Sequence, residues 1–271
     1  MQLQDQNAVI FGATSSLGRT IARAFAAEGA AVYISSRNLN RVKALADEIN
    51  QSGGKVVADQ VDALDKDEVH NYVQSIEKTV DIALNVIAWE DVQGKSLTEM
   101  TIEEFTRPIR ISTTSNFITS TAVAEKMKAQ GSGVILSLTA TPGGIGYANV
   151  GGFGPACCAI ESLSRNLAAE LGAHGIRVVN IRSAGSPDSK IFLDALEQGG
   201  EDAKKFIHKL AKDTMLNELP LMQDIADTAV FLASDKASKI TGTSIDVTVG
   251  TTTALNYEST PIEFADYRHS G

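Results

Sequence analysis

An apolar run from Asn7 to Phe11 leads straight into Gly12-Ala13-Thr14-Ser15-Ser16-Leu17-Gly18, and a helix-period segment follows with Leu17, Ile21 and Phe25 on one stripe. This junction constrains the fold more than any other stretch. A buried strand that turns through glycine into a helix is the opening of a β–α–β unit, whose next strand returns parallel to the first. The chain repeats the pattern. Ala31 to Ser35, Val56 to Val61, Ile82 to Ala88, Gly133 to Leu138, Arg177 to Ile181 and Ser244 to Val249 read as further strands. Helical periodicity fills the gaps. Val42, Leu45 and Ile49 form one stripe, and Val69, Val73 and Ile76 another; longer helices read over Ile102 to Ala129, Phe153 to Gly172 and Asp224 to Ala233.

Such alternation predicts the α/β class: a doubly wound Rossmann fold, with a seven-stranded parallel sheet flanked by helices on both faces. Residues 1–250 read as a single domain without linker or repeat, and 251–271 as a polar C-terminal tail. Ser186 to Met215, polar and helix-prone after the sixth strand, reads as a lid-like segment.

Composition narrows the partners. The formal net charge of -9 opposes general binding to nucleic acid or to anionic membrane. No apolar run approaches the ~20 residues of a membrane span, and MQLQDQNAVIFG lacks the basic region of a signal peptide. The two cysteines, Cys157 and Cys158, are adjacent, which gives neither a disulfide framework nor a metal-ligand spacing. No metal and a reducing cytoplasm are the expectations.

The first half carries a nucleotide signature. Gly12 permits the sharp turn off the strand, and Gly18 lets the helix pack close to the sheet. Free N–H groups of the first helical turn, beside the Thr14 and Ser15 hydroxyls, suit a pyrophosphate. The bland alternative is an ordinary β–α turn. At the end of strand two, where an acid would hold the ribose of NAD(H), stand Ser36, Arg37 and Asn38. Arg37 offers a cationic fork to a phosphate, which favours NADP(H); alternatively it is a solvated arginine. Asp62 is placed to accept from an adenine amino group, and Asn85 sits at the tip of strand four; either alternatively serves a turn or a cap.

These stretches, with Val61-Asp62-Ala63, Asp81 to Ala88, Gly133 to Thr139, Gly175-Ile176-Arg177-Val178 and the block from Asp224 to Gly242, resemble the short-chain dehydrogenase/reductase superfamily over roughly Gln6 to Gly250. The resemblance implies a cofactor set of Gly12, Thr14, Ser15, Ser16, Leu17, Gly18, Ser36, Arg37, Asn38, Asp62, Ala63 and Asn85. Ser16 stands where the family places the middle glycine of the loop, and Ala88 where it ends the strand-four motif in glycine. The resemblance further implies an Asn–Ser–Tyr–Lys set in which tyrosine donates the proton and lysine lowers its pKa and holds the nicotinamide ribose. Serine orients the substrate oxygen, and asparagine holds a water in the proton relay. By position these four fall on Ser112, Ala140, Phe153 and Cys157, all of them changed. A general acid contributes about 10²–10⁴-fold, and a phenyl ring has no proton to give.

The expectation is therefore an atypical NADP(H)-binding oxidoreductase for a small organic substrate, impaired in ordinary carbonyl reduction, with Thr139, Ser112 and Tyr147 as substitute hydroxyls. The alternatives are a pocket without redox chemistry, of isomerase or cyclase type, and an inactive scaffold subunit. The resemblance also implies a homodimer or homotetramer paired through the helices near Ile111–Ala129 and Phe153–Gly172. Tyr257 and Tyr267 of the tail are candidates for a neighbour's cleft.

Overall fold

The computed structural model describes residues 1–253, so the tail tyrosines Tyr257 and Tyr267 lie outside the described residues. Seven parallel strands run β1 (Asn7–Phe11), β2 (Ala31–Ser36), β3 (Lys55–Gln60), β4 (Ile82–Asn85), β5 (Gly133–Ala140), β6 (Ile176–Ser183) and β7 (Thr243–Val247) along the chain. They lie in the order β3-β2-β1-β4-β5-β6-β7. The order reverses between β1 and β4, the switch point at which ligands enter open α/β sheets.

Two apolar layers clothe the sheet. One face packs on α1 (Ser16–Ala27), α2 (Leu39–Gln51) and α7 (Met222–Ala233), through Ile21, Phe25, Leu45 and Ile225 among others. The other packs on α3 (Lys66–Ser75), α4 (Ile102–Gln130) and α5 (Phe153–Leu171), through Val69, Val123, Met127 and Leu171. Side-chain caps fix several helix starts. Ser15 Oγ accepts from Gly18 N, Asn38 Oδ1 from Arg41 N, and Thr101 forms a capping box with Glu104.

The strand boundaries differ from the sequence reading most at β4. The apolar run continues to Ala88, yet the strand stops at Asn85. Val86 N still donates to Phe11 O at 2.9 Å, and then Asn85 Oδ1 captures Ile87 N at 3.1 Å and turns the chain. Ser186 to Met215 contains a helix, α6 (Lys190–Lys212), interrupted at Gly200, whose φ of 51° and ψ of -127° are not helical. No residue of α6 is buried. Among the described residues, no helix is long and apolar enough to cross a membrane.

Candidate active site

A cleft of about 320 Å³ opens at the carboxyl ends of β1, β2 and β4. Gly12 forms its floor. Its φ of +80° favours glycine, and a Cβ there would lie 2.9–3.0 Å from Ile87, so only glycine lets the two turns approach. Gly18 sits behind it, where a Cβ would lie 2.9 Å from the Ala13 Cα. Thr14 and Ser15 form the wall from α1; Ser36, Arg37, Asn38 and Arg41 form the wall from the β2–α2 turn. Asp62 and Ala63 close the side after β3, and Val86, Ile87, Ala88 and Glu90 the side after β4.

The structure thus gathers Gly12, Thr14, Ser15, Ser36, Arg37, Asn38, Asp62 and Ala63 around one cavity. Several polar atoms already serve the backbone. Ser36 Oγ donates to Asn38 O, and Asp62 Oδ1 accepts from Leu64 N. Arg37 is 67% exposed, and its guanidinium lies 3.7 Å from Glu90 across the mouth. Leu17 packs on the core, and Ser16 accepts from Lys190 N at 3.2 Å, tying the start of α6 to the loop. Asn85 is not among the cleft residues: it is buried, with Nδ2 donating to Thr119 Oγ1 at 3.0 Å. Its reading as a turn residue describes its contacts best. Arg41 was missed in the sequence. The signal lay in the cap, because a helix that starts at Asn38 puts Arg41 in its first turn, facing the same cleft.

Phe153 and Cys157 occupy the first turns of α5. The Phe153 ring lies 5.3 Å from Trp89, centroid to centroid, with 46° between the planes. Trp89, Ile111, Ala156, Cys157 and Ile160 form a small apolar cluster with Phe153 and Ala140 packed on it. Burial raises the Cys157 pKa to about 12, with the Ala140 amide opposing and Glu161 adding to the shift. The thiol is therefore neutral at physiological pH, and nothing in its setting activates it as a nucleophile.

Two of the three substitute hydroxyls are engaged in internal hydrogen bonds. Thr139 is 3% exposed. Its Oγ1 donates to Glu161 Oε1 at 3.0 Å and accepts from Asn180 Nδ2 at 2.8 Å, so it is held in a buried network. Strand alternation explains this: Thr139 shares a face with Ser137, whose hydroxyl bonds Asn180 in the same network. Ser112 is fully buried and donates to the Ile109 carbonyl of its own helix at 3.1 Å. Tyr147 is half-buried in the loop before α5.

Beneath α5 that network centres on an ion pair absent from the sequence reading. Arg182 grips Glu161 through two contacts, Nε to Oε1 at 2.9 Å and Nη2 to Oε2 at 2.6 Å, and reaches Asp246 through Nη1 at 2.9 Å. Glu161 is 5% and Arg182 14% exposed. The Glu161 contacts hold the Arg182 pKa above even its ordinary value.

Comparison with known proteins agrees with the architecture. A family model described as enoyl-(acyl carrier protein) reductase matches residues 12–252. The 7alpha-hydroxysteroid dehydrogenase of Escherichia coli K12 is 31% identical over 259 residues, covering 94% of this chain and 98% of that protein. A solved short chain dehydrogenase/reductase family protein superimposes with a TM-score of 0.80 at 30% identity, covering 93% of this chain and 99% of the other. A putative NAD(P) dependent gluconate 5-dehydrogenase from Beutenbergia cavernae, solved with bound NADP, gives 0.81 at 25% identity, covering 92% and 98%. With a family model and a relative of this likeness spanning nearly its whole length, the chain belongs to the short-chain dehydrogenase/reductase superfamily, oxidoreductases that act on small molecules.

Proposed function

We propose that the chain is an NADP(H)-binding oxidoreductase for a small organic substrate in which proton donation by a Tyr–Lys pair is lost. The observation that carries the reading is the contrast between the two ends of the site. The nucleotide end has a glycine floor that no Cβ could share, two arginines on its β2–α2 wall and no acid at the end of β2. It fits the adenosine end of NADP(H), with Arg37 and Arg41 toward the 2′-phosphate, Asp62 toward the adenine and the first turn of α1 toward the pyrophosphate. The gluconate 5-dehydrogenase with NADP supports the same phosphate-bearing form. Once bound, NADP(H) supplies or accepts a hydride.

At the other end Phe153 carries no proton and Cys157 no charge at neutral pH. Ketone reduction then lacks both the general acid and the cation that would lower its pKa. Thr139 and Ser112 are held by Glu161, Asn180 and Ile109, which leaves Tyr147 or solvent as the proton source. An activated alkene or imine, which needs less help with protonation, suits such a site better than a simple ketone. Pairing of α4 and α5 between subunits is part of the proposal, with Phe117 exposed on α4, as is residence in the cytoplasm with both thiols free.

Calorimetric titration tests the cofactor assignment. NADPH is expected to bind more tightly than NADH. Arg37→Ala should weaken NADPH by about 10- to 100-fold, the value of one charge-assisted contact, and leave NADH nearly unchanged. A preference for NADH would sink the assignment.

A further inference from the structure

The end of β2 carries no acid, yet an acid faces it from another wall of the cleft. Glu90, in the turn after β4, lines the same cleft as Arg37, and its Oε1 lies 3.7 Å from Arg37 Nη2. The charged side chains around the cleft are Arg37, Arg41, Asp62 and Glu90, so two cations stand against two carboxylates. The arginine best placed for a 2′-phosphate already has an anionic partner.

The turn that presents Glu90 is held on both sides. Asn85 Oδ1 accepts from Ile87 N at 3.1 Å, Trp89 is buried beside Phe153, and Gly94 N donates to Asn149 O at 2.8 Å. Glu90 itself has a φ of 56°, a left-handed backbone uncommon for a residue with a long side chain. Arg37 is 67% exposed, which gives its side chain room to exchange one anionic partner for another. A 2′-phosphate that reaches Arg37 must displace the Glu90 carboxylate or sit beside it, and like charges at that distance repel. A nucleotide with a plain 2′-hydroxyl brings no charge and leaves the ion pair in place.

We propose that Glu90 is a specificity-determining residue of the cleft, whose carboxylate competes with the 2′-phosphate of the nucleotide for Arg37 and so restrains the preference for NADP(H) over NAD(H). The inference rests on the assignment of the cleft to NADP(H) and deepens it. Discrimination between the two nucleotides is set by a repulsive group as well as by an attractive one. The pair is exposed on both sides, 67% and 51%, so the competition is worth about two- to fivefold in affinity.

The test is calorimetry on the whole chain with NADPH, NADH and 2′,5′-ADP, comparing the unmodified protein with Glu90→Gln and Glu90→Lys. The ratio of NADPH to NADH affinity should rise by about three- to fivefold in Glu90→Gln and further in Glu90→Lys. NADH itself should change by less than about twofold, and 2′,5′-ADP, which carries the same 2′-phosphate, should follow NADPH. In an Arg37→Ala background Glu90→Gln should lose most of its effect, because the contested cation is gone. A ratio that stays flat or falls along the series, or a Glu90→Gln gain of the same size without Arg37, would overturn the inference; the cleft assignment would stand as long as Arg37→Ala alone weakens NADPH. If Arg37→Ala leaves NADPH binding unchanged, or if neither dinucleotide binds, the cleft assignment fails and the inference with it.

Discussion

Arg182→Ala should destabilise the protein by about 3–5 kcal/mol, the cost of stranding one charge of a buried pair. The removed guanidinium makes two contacts to Glu161 and bridges to Asp246, and Glu161 is almost entirely enclosed by α5, β5 and β6. The loop before α5 packs directly on that carboxylate, since a Cβ on Gly143 would collide with its Oε1. The loss would also free Thr139 and Asn180 from a network in which each polar atom answers another. For a chain of this length the drop corresponds to a melting temperature lower by roughly 6–20 °C. Urea unfolding checks the size, and adding Glu161→Gln to the Arg182→Ala background should restore part of the loss, since it removes the stranded charge. A change below about 1 kcal/mol, the range of an exposed pair, would show that the pair does not hold α5 to the sheet.

The second large effect concerns chemistry. Phe153→Tyr combined with Cys157→Lys should raise NADPH-dependent ketone reduction by about 10²-fold or more over the unmodified chain. The positions lie one turn apart on α5, so a lysine at 157 faces the same side as a phenol at 153. A nearby ammonium favours the phenolate and lowers the proton-transfer barrier. Neither change should suffice alone. Phe153→Tyr leaves a phenol near its ordinary pKa of about 10, while Cys157→Lys places an unpartnered cation among Ala156, Ile160 and Trp89. A double variant that folds and binds 2′,5′-ADP normally, yet gains no reductase activity, would show that something beyond the proton donor is missing.

The sheet and its flanking helices were legible because each strand is a short apolar run and each helix carries one apolar stripe. The cleft residues of the first loop were legible for a local reason: a strand, a glycine and a helix cap lie within a dozen residues, so their geometry follows from their spacing. Asn85 sits at the strand tip as the sequence placed it, but its amide turns inward to Thr119, a partner on a distant helix that the local spacing does not reveal. The partners of Thr139 were hidden in the same way, although alternation from Ser137 already put it on the α5 face of the sheet. Glu161 and Arg182 could not be paired from sequence. They lie 21 residues apart and meet only because β6 pairs with β5 while α5 crosses above them. A charge next to the small and apolar residues Cys157 and Ile160 of α5 was the one available sign. Ser16 read only as a departure from the middle glycine of the loop; its hydroxyl accepts from the first amide of α6, a contact across 174 residues that no local pattern reveals.

The most direct measurement is NADPH consumption by the unmodified protein with a panel of simple ketones at saturating nucleotide. The proposed reading, a nucleotide-binding chain with a phenyl ring and a buried thiol at positions 153 and 157, predicts binding without ketone turnover above the protein-free background. Steady turnover near the enzyme median of about 10 s⁻¹ on any simple ketone would contradict it.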